Sequence, residues 1–349
     1  MSLRAVRDVD TLEHAWEELA SRTGAVPWVH PGWIRAWWTA FGRGSLEIIA
    51  LEEGARLRAL LPLRRWLGGL WSTSNWHTPT IEIVADGDDA ALELVGELMG
   101  KRPRSVSLYF LERGDPSSNW FRRGAARRGF RIRERLLERS PFVTIHGPWE
   151  TYESSLNKKL RSEIRRRRKR LQEQGELVLE VVDGGRRLNS LLDQGFKVEA
   201  AGWKGERKSA IAARPETDVF YREVARWASS RGWLRLAFLR LDGVPIGFDY
   251  CIEAGGAHYL LKTGFDPSYQ KYGPGMIMRY EMLKRAFSSP LDSYEFLGRD
   301  EDWKLQWTDT VRERVALQCF APSVRGSIDL AAWKYARPAV KRLLAFVRR

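Results

Sequence analysis

The 349-residue sequence has few cysteines and no long apolar run. The only cysteines, Cys251 and Cys319, lie far apart in apolar stretches, which excludes a disulfide scaffold and predicts reduced core thiols in a cytoplasmic protein. No zinc-type spacing of Cys and His is present, so no metal is expected. No stretch reaches about 18 uncharged apolar residues, so no transmembrane segment is expected. Acidic residues near the N-terminus argue against a signal peptide.

Apolar residues are plentiful, and the positive charge is local. Hydrophobic residues make up 44% of the chain, and its length suits two domains with separate cores. The net charge is +14. Residues 158–170 hold nine Lys/Arg against one acid, and residues 330–349 hold six against none, so the rest of the chain is neutral on balance. We therefore expect anionic partners at these two segments.

The first basic segment has the periodicity of a helix over residues 154–174. Leu156, Leu160 and Ile164 recur at four-residue steps and leave a wide basic face. That face is either solvated, or the wall of a cleft for an anionic substrate, or an RNA-binding or membrane-surface helix. The tail over residues 330–349 is basic and amphipathic, and is either packed or laid on anionic lipid.

The two halves of the chain share one layout. In each half a helix-like segment precedes two apolar runs joined by an acid–Gly pair, Glu53-Gly54 in the first and Asp242-Gly243 in the second. An acid–Gly pair between strand-like runs predicts a β-hairpin. We therefore expect two copies of one α/β unit, with a boundary near Gly147-Pro148.

The second half contains the motif with the clearest chemistry. Three predicted strands, over 233–241, 245–253 and 257–264, are followed by a glycine-containing loop and an amphipathic helix. Glycines allow close backbone approach, and N–H groups at a helix N-terminus bind phosphate oxygens. The loop residues are Gln270, Lys271, Tyr272, Gly273, Pro274, Gly275 and Met276.

This Q-x-x-G-x-G loop, placed between a strand and a helix, resembles the pyrophosphate-binding loop of the GCN5-related N-acetyltransferase (GNAT) superfamily. The resemblance implies that amides around Tyr272, Gly273, Gly275 and Met276 hold the pyrophosphate of coenzyme A, with Gln270 and Lys271 beside them. An ordinary Gly-Pro turn into a helix is the alternative.

The resemblance extends from about Val26 to Trp307. The segments RLDGVPIGFDY, YLLKTGFDPSYQKYGPG and YEFLGRDEDWKLQW are similar to bacterial cellulose-biosynthesis-type (CelD/BioF2-like) acyltransferases, relatives of the FemABX peptidyltransferases. The resemblance implies an α/β fold of two tandem GNAT-like domains, with mixed, mainly antiparallel sheets flanked by helices. We expect a degenerate domain over 1–150 that shapes the acceptor cleft, an acyl-CoA-binding domain over 151–329, and the tail over 330–349.

Acyl transfer requires a base, a polarised carbonyl and an acid for the leaving thiolate. Asp249, on a predicted strand beside Gly247 and Cys251, and Glu199, near the end of a predicted helix, are candidate bases. Tyr259 and Tyr272 are candidate acids. A solvated strand face for Asp249 and a surface position for Glu199 are the alternatives.

A further candidate site follows the predicted strand 294–297. Asp300 or Asp302 is placed to orient an amine, Lys304 to hold a phosphate, and Trp303 to line an acceptor pocket. A plain polar loop is the alternative. On the basic helix, Arg161 and Arg165 are candidate contacts for a substrate phosphate.

Together these features predict an acyltransferase that moves an acyl group, most simply acetyl, from coenzyme A to an amine or hydroxyl. The family resemblance suggests an envelope or polysaccharide precursor as acceptor. Two alternatives remain: a FemABX-like enzyme that uses aminoacyl-tRNA, and a non-enzymatic protein that binds nucleic acid or the membrane surface through its basic segments.

Overall fold

The computed structural model describes residues 1–201 and 210–336. The contacts divide the chain into two units. Unit 1 contains Met1–Trp38, Gly42–Leu137 and the chain from Glu313 onward, and unit 2 contains Thr39–Phe41 and Glu138–Arg312.

Thirteen strands and eleven helices occur in the described residues. The strands are β1 (Ser2–Val6), β2 (Ser45–Glu53), β3 (Arg56–Trp66), β4 (Gly69–Ser72), β5 (Val84–Ala85), β6 (Ser105–Glu112), β7 (Arg131–Thr144), β8 (Leu177–Val182), β9 (Leu234–Leu241), β10 (Val244–Ala254), β11 (Ala257–Phe265), β12 (Ser293–Glu295) and β13 (Val311–Phe320). The helices are α1 (Glu13–Thr23), α2 (Pro31–Phe41), α3 (Asp88–Gly100), α4 (Pro116–Arg127), α5 (Trp149–Ser155), α6 (Lys158–Gln172), α7 (Leu188–Ala200), α8 (Pro215–Ser230), α9 (Pro274–Phe287), α10 (Asp302–Leu305) and α11 (Val324–Ala331).

The sheets are mixed and mainly antiparallel, as expected. Unit 1 has the strand order β1-β2-β3-β4-β6-β13, with β5 on β3, and unit 2 has the order β7-β12-β11-β10-β9-β8. Within these orders the parallel pairs are β4 with β6 and β11 with β12. The fold class predicted from the sequence is confirmed.

The duplicated α/β unit is also visible in the structure. In each unit two helices precede three antiparallel strands, a helix follows, and the next strand runs parallel to the third strand of the meander. In unit 1 these are α1, α2, β2-β3-β4, α3 and β6. In unit 2 they are α7, α8, β9-β10-β11, α9 and β12.

The unit boundaries differ from the divisions at residues 150 and 329 that the sequence suggested. Strand β7 begins in unit 1 and ends in unit 2, and β13 does the reverse. The expected boundary at Gly147-Pro148 therefore falls inside unit 2. The reason is long-range pairing: the end of β7 pairs with β12, and β13 pairs with β6.

The hairpins of unit 2 follow the predicted turn chemistry. Asp242 and Gly243, between β9 and β10, both have positive φ, and so do Gly255 and Gly256 between β10 and β11. Two successive residues in this region match the twist of an antiparallel hairpin. The three-strand meander that leads to the glycine loop is thus fixed locally.

The basic helix is shorter than expected. Leu156 is extended, and the Asn157 side chain accepts a hydrogen bond from Lys159 N–H, so a new helix, α6, begins at Lys158. Its apolar residues Leu160 and Ile164 are buried in the unit 2 core. Of the tail over 330–349, residues 337–349 lie outside the described residues. Within the described part, no helix has the length and apolarity needed to cross a membrane.

Glu82 in unit 1 makes folding sensitive to pH. Its carboxylate accepts a hydrogen bond from Val26 N–H (2.9 Å), yet burial, and then the charges of Asp115 and Glu112, raise its pKa to about 7. The folded state binds this proton more tightly than the unfolded chain, so stability decreases as the pH rises from about 4.5 to about 7.

We predict that Glu82→Gln stabilises the protein above pH 7, because Gln keeps an acceptor for Val26 without the buried charge. The gain is about 1–3 kcal/mol at pH 8 and vanishes near pH 4. Urea unfolding of both proteins at the two pH values measures it. An equal difference at both pH values would contradict this account.

Candidate functional site

The glycine loop of unit 2 is a short 3₁₀ turn that leads directly into α9. The turn covers Pro267–Tyr272, and Asp266 caps it by accepting a hydrogen bond from Ser268 N–H (2.9 Å). Gly273 follows with φ +64°, a conformation that side-chain-bearing residues rarely adopt. Pro274 then occupies the first position of α9, where its missing N–H is not needed.

The first turn of α9 leaves one amide available. Met276 and Ile277 N–H both donate to Gly273 O (3.1 and 3.2 Å), and Gly273 N–H donates to Gln270 O (3.0 Å). Of the expected donors, Gly275 N–H has no backbone acceptor in the described residues. It lies at the positive end of a 14-residue helix, which favours an anion there.

The space around the loop explains both glycines. A Cβ at Gly275 would lie 3.3 Å from the ring of Phe265, the last residue of β11. A Cβ at Gly273 would lie 2.8 Å from both Cδ and Nη1 of Arg167. Gly273 therefore admits the Arg167 side chain to the N-terminus of α9.

Arg167 reaches this position because α6 packs against α9. On α6, Arg167 Nε donates to Glu163 (2.5 Å), and the next residue, Arg168, forms an ion pair with Glu281 of α9 (2.6 Å). One acid thus offsets a guanidinium that faces the positive end of a helix. The remaining charge makes this corner of unit 2 an anion-binding environment.

The sequence did not single out Arg167 among the nine cations. It instead suggested Arg161, whose Nε donates to Leu156 O (3.2 Å), and Arg165, which is exposed. The signal that could have found Arg167 is its place beside Ile164 and Leu171, on the flank of the buried stripe. The other loop residues, Gln270 and Lys271, are exposed.

Strands β11 and β12 separate next to the loop. They are paired only at residues 257–259 and 293–295, while β11 continues to Phe265. A fully buried guanidinium, that of Arg279 on α9, contacts strand residues at this point. It forms an ion pair with Asp249 of β10 (2.9 Å) and hydrogen bonds with the hydroxyl of Tyr294 on β12.

Asp249 is therefore buried and neutralised by Arg279 rather than exposed to a cleft. Alternation along β10 predicted that Asp249 shares a strand face with Gly247. That face lies against α9, where a Cβ at Gly247 would approach Met278. Burial alone would lower the pKa of Arg279, but the neighbouring Asp249 carboxylate raises it. While this pair is intact, the Asp249 carboxylate contacts Arg279 and not an acceptor.

Lys304 is held by backbone oxygens instead of facing an open phosphate site. Its Nζ donates to Leu297 O (2.7 Å) and Arg299 O (2.8 Å) and lies 3.1 Å from Glu301. The left-handed residues Leu297 and Gly298 form the turn that it closes. Lys304 is buried, so its role here is to hold the loop.

The other residues suggested after β12 are near the surface. Asp300 faces Arg139 (3.3 Å). Trp303 is 36% exposed, and its ring lies 5.9 Å from the Arg279 guanidinium carbon. Trp303 thus covers the buried Arg279.

Glu199 and Tyr259 occupy the opposite side of the unit 2 sheet. Glu199 is buried at the end of α7, and its Oε2 accepts a hydrogen bond from Ile211 N–H (2.9 Å). Helix α7 passes β11 so closely that a Cβ at Gly264 would lie 2.6 Å from Glu199 Cα. Tyr259 is half-buried on β11, opposite Ile252 of β10. In the described residues, no group of three or more His, Cys, Asp or Glu is placed to hold a metal ion.

The sequence of this region matches a known domain family. Residues 158–305 match the model of the acetyltransferase (GNAT) domain family. No curated protein matches the sequence.

Solved structures share the fold over most of the chain. FemX has a TM-score of 0.61 at 12% identity, with 92% of this chain and 97% of that chain covered. The C-terminal domain of a putative lysylphosphatidylglycerol synthetase from Agrobacterium fabrum has a TM-score of 0.57 at 12% identity, covering 93% and 96%. A protein of unknown function from Bacteroides thetaiotaomicron has a TM-score of 0.58 at 12% identity, covering 91% and 100%.

We predict that Arg279→Met alone destabilises the protein by about 3–5 kcal/mol, because it leaves the Asp249 carboxylate buried without a counter-charge. The double variant Asp249→Val/Arg279→Met removes both charges and recovers most of that loss. Urea unfolding of the parent, the single variants Arg279→Met and Asp249→Val, and the double variant measures the coupling. If the losses in unfolding free energy of the two single variants simply add in the double variant, the pair does not hold α9 to the sheet.

Proposed function

Because residues 158–305 form a domain of the GNAT acetyltransferase family, we propose that the protein is an acyltransferase whose donor is an acyl-coenzyme A, most simply acetyl-CoA. The acceptor is an amine or hydroxyl, for which a precursor of the cell envelope or of a polysaccharide is our first candidate.

The observation that carries the proposal is the convergence of Arg167 with the N-terminus of α9. The Gly275 N–H and the Arg167 guanidinium both border Gly273, where a side chain would clash. A pyrophosphate at this point would accept from the amide and neutralise the guanidinium. Charge-assisted hydrogen bonds of this kind contribute about 1.5–3 kcal/mol each.

We assign the general base to Glu199. The other carboxylates suggested from the sequence contact arginines, Asp249 with Arg279 and Asp300 with Arg139. Glu199 lies against Gly264, the residue before Phe265, and Phe265 borders the glycine loop at Gly275. In this role Glu199 would accept the proton of an acceptor amine during attack on the thioester, and Tyr259 on the same strand is our candidate acid for the thiolate.

A second donor, aminoacyl-tRNA, is favoured by one observation. Lys158, Arg165 and Lys169 lie on the exposed face of α6 and have no ion-pair partner in the described residues. Such a row suits a phosphodiester backbone. Binding of tRNA that weakens steeply with salt, together with no binding of acetyl-CoA, would favour this donor.

The loop proposal predicts that Gly273→Ala abolishes acetyl-CoA binding, since the added Cβ both strains φ and displaces Arg167. Gly232→Ala is the matched control, because Gly232 has φ +70° and no neighbour within 4 Å. Isothermal titration with acetyl-CoA compares them with the parent. Equal binding by both variants would refute the loop site.

Arg167→Gln should weaken acetyl-CoA binding about tenfold or more, whereas Arg168→Gln should change it little. The two residues are adjacent, and both pair with an acid, but only Arg167 contacts Gly273. The same titration measures both. Equal losses would indicate a general effect of charge on α6.

Glu199→Gln should lower kcat by about 10²–10⁴-fold and leave the affinity for acetyl-CoA unchanged. Gln keeps an acceptor for Ile211 N–H, so the fold around α7 is preserved. Initial rates measured with an acceptor give kcat, and titration with acetyl-CoA gives the donor affinity, so the two effects are separated. A parallel loss of donor affinity would point to a structural role instead.

A further inference from the structure

Arg64, in unit 1, carries a charge for which the described residues provide no anion. It is half-buried on β3, its Nε has no hydrogen-bond partner, and no carboxylate pairs with it in residues 1–201 or 210–336. The neighbouring Arg65, on the other strand face, binds both oxygens of Glu47 (2.5 and 2.8 Å).

A second cation lies near Arg64. Burial lowers the pKa of Arg64, and the charge of Arg43 lowers it further. Arg43 is exposed and has no ion-pair partner in the described part of the chain. An arginine side chain does not lose its proton at neutral pH. The two charges therefore repel one another until an anion binds between them.

Aromatic rings border this charge. The Arg64 guanidinium carbon lies 4.9 Å from the ring centre of Trp66 and 5.4 Å from that of Trp37. Trp71 faces Arg64 across the β3–β4 pair, contacts Trp66 edge to face (5.4 Å), and stacks on Tyr109 (5.8 Å, 8° between planes). Ring contacts stabilise the cation but give its N–H donors no oxygen acceptor.

These rings lie on the strand face opposite one core cluster of unit 1. The alternate residues Leu61 and Leu63 of β3, with Leu70 of β4 and Leu108 of β6, belong to the core cluster. On the other face lie the side chains that we call the Trp–Arg face: Trp37, Arg43, Arg64, Trp66, Trp71 and Tyr109. Trp37 and Trp71 are buried there, and the ring of Trp333 packs 6.1 Å from that of Trp71, so Trp66 and Tyr109 are the half-buried rings.

We propose that the Trp–Arg face binds a small organic phosphate carried on a planar or sugar ring. The forked donors of Arg64 match two phosphate oxygens, and Arg43 supplies the second charge that a dianion requires. The half-buried rings of Trp66 and Tyr109 provide a surface on which the ring of the ligand packs. The site lies wholly in unit 1 and does not depend on the proposed coenzyme A loop.

The test is titration of the full-length protein, without coenzyme A, with uridine 5′-monophosphate, glucose 1-phosphate and inorganic phosphate. We expect at least one ring phosphate to bind about tenfold or more tightly than inorganic phosphate and to change tryptophan fluorescence. Binding of uridine 5′-monophosphate alone identifies a planar ring, and binding of glucose 1-phosphate alone identifies a sugar ring.

The variants locate the binding. Arg64→Gln should weaken the bound ring phosphate about tenfold or more. Arg56→Gln is the control, because Arg56 is an exposed residue of the same strand that pairs with Asp86 (2.5 Å). Gly273→Ala should leave this binding intact, which separates it from the donor loop.

Thermal unfolding provides a second measurement. Arg64→Gln should leave the midpoint unchanged or raise it, because the substitution removes an unpaired, half-buried charge. The proposal is overturned if no ring phosphate binds the parent more tightly than inorganic phosphate. It is also overturned if Arg64→Gln binds as well as Arg56→Gln.

Discussion

The ion pair between Arg279 and Asp249 is the constraint on which the candidate site of unit 2 depends. Both groups are fully buried, so each is tolerated only because the other is present. The same guanidinium contacts Tyr294 of β12, so one side chain ties α9 to two strands. Together with the buried apolar residues Ile277, Met278 and Met282 of the same helix, this contact holds α9 against the strands.

The positive charge around the loop follows from that placement. Helix α6 packs on α9, which brings Arg167 to Gly273, and only a residue without Cβ fits there. A positive helix end and a guanidinium then face the same point, with Glu163 offsetting part of the charge. A ligand of opposite charge would stabilise these two positive groups, which packing holds close together. The Trp–Arg face of unit 1 presents the same kind of imbalance at Arg64.

Local signals predicted much of this fold, and long-range contacts did not follow from them. The pairs Asp242-Gly243 and Gly255-Gly256 specify hairpins because their backbone conformations are set within the turn. The glycine loop was recognisable because its order of strand, loop and helix is contiguous in sequence. The pairing of β7 with β12, and of β13 with β6, joins residues more than a hundred positions apart, which no local pattern encodes.

The side-chain contacts of the site show the same limit. Alternation placed Asp249 on the correct face of β10, but its partner lies 30 residues later on α9. The contacts that bury Lys304 did not follow from the sequence, because the carbonyls of Leu297 and Arg299 that hold it become available only in the folded turn.

The central claim is that α6 and the start of α9 together bind the phosphates of an acyl-CoA. Hydrogen–deuterium exchange of the whole protein, with and without acetyl-CoA, tests it directly. The account predicts slower amide exchange in peptides covering residues 267–277 and 163–171, with little change in α3 and α4 of unit 1. Unchanged exchange in both peptides at saturating acetyl-CoA, or protection confined to other segments, would contradict it.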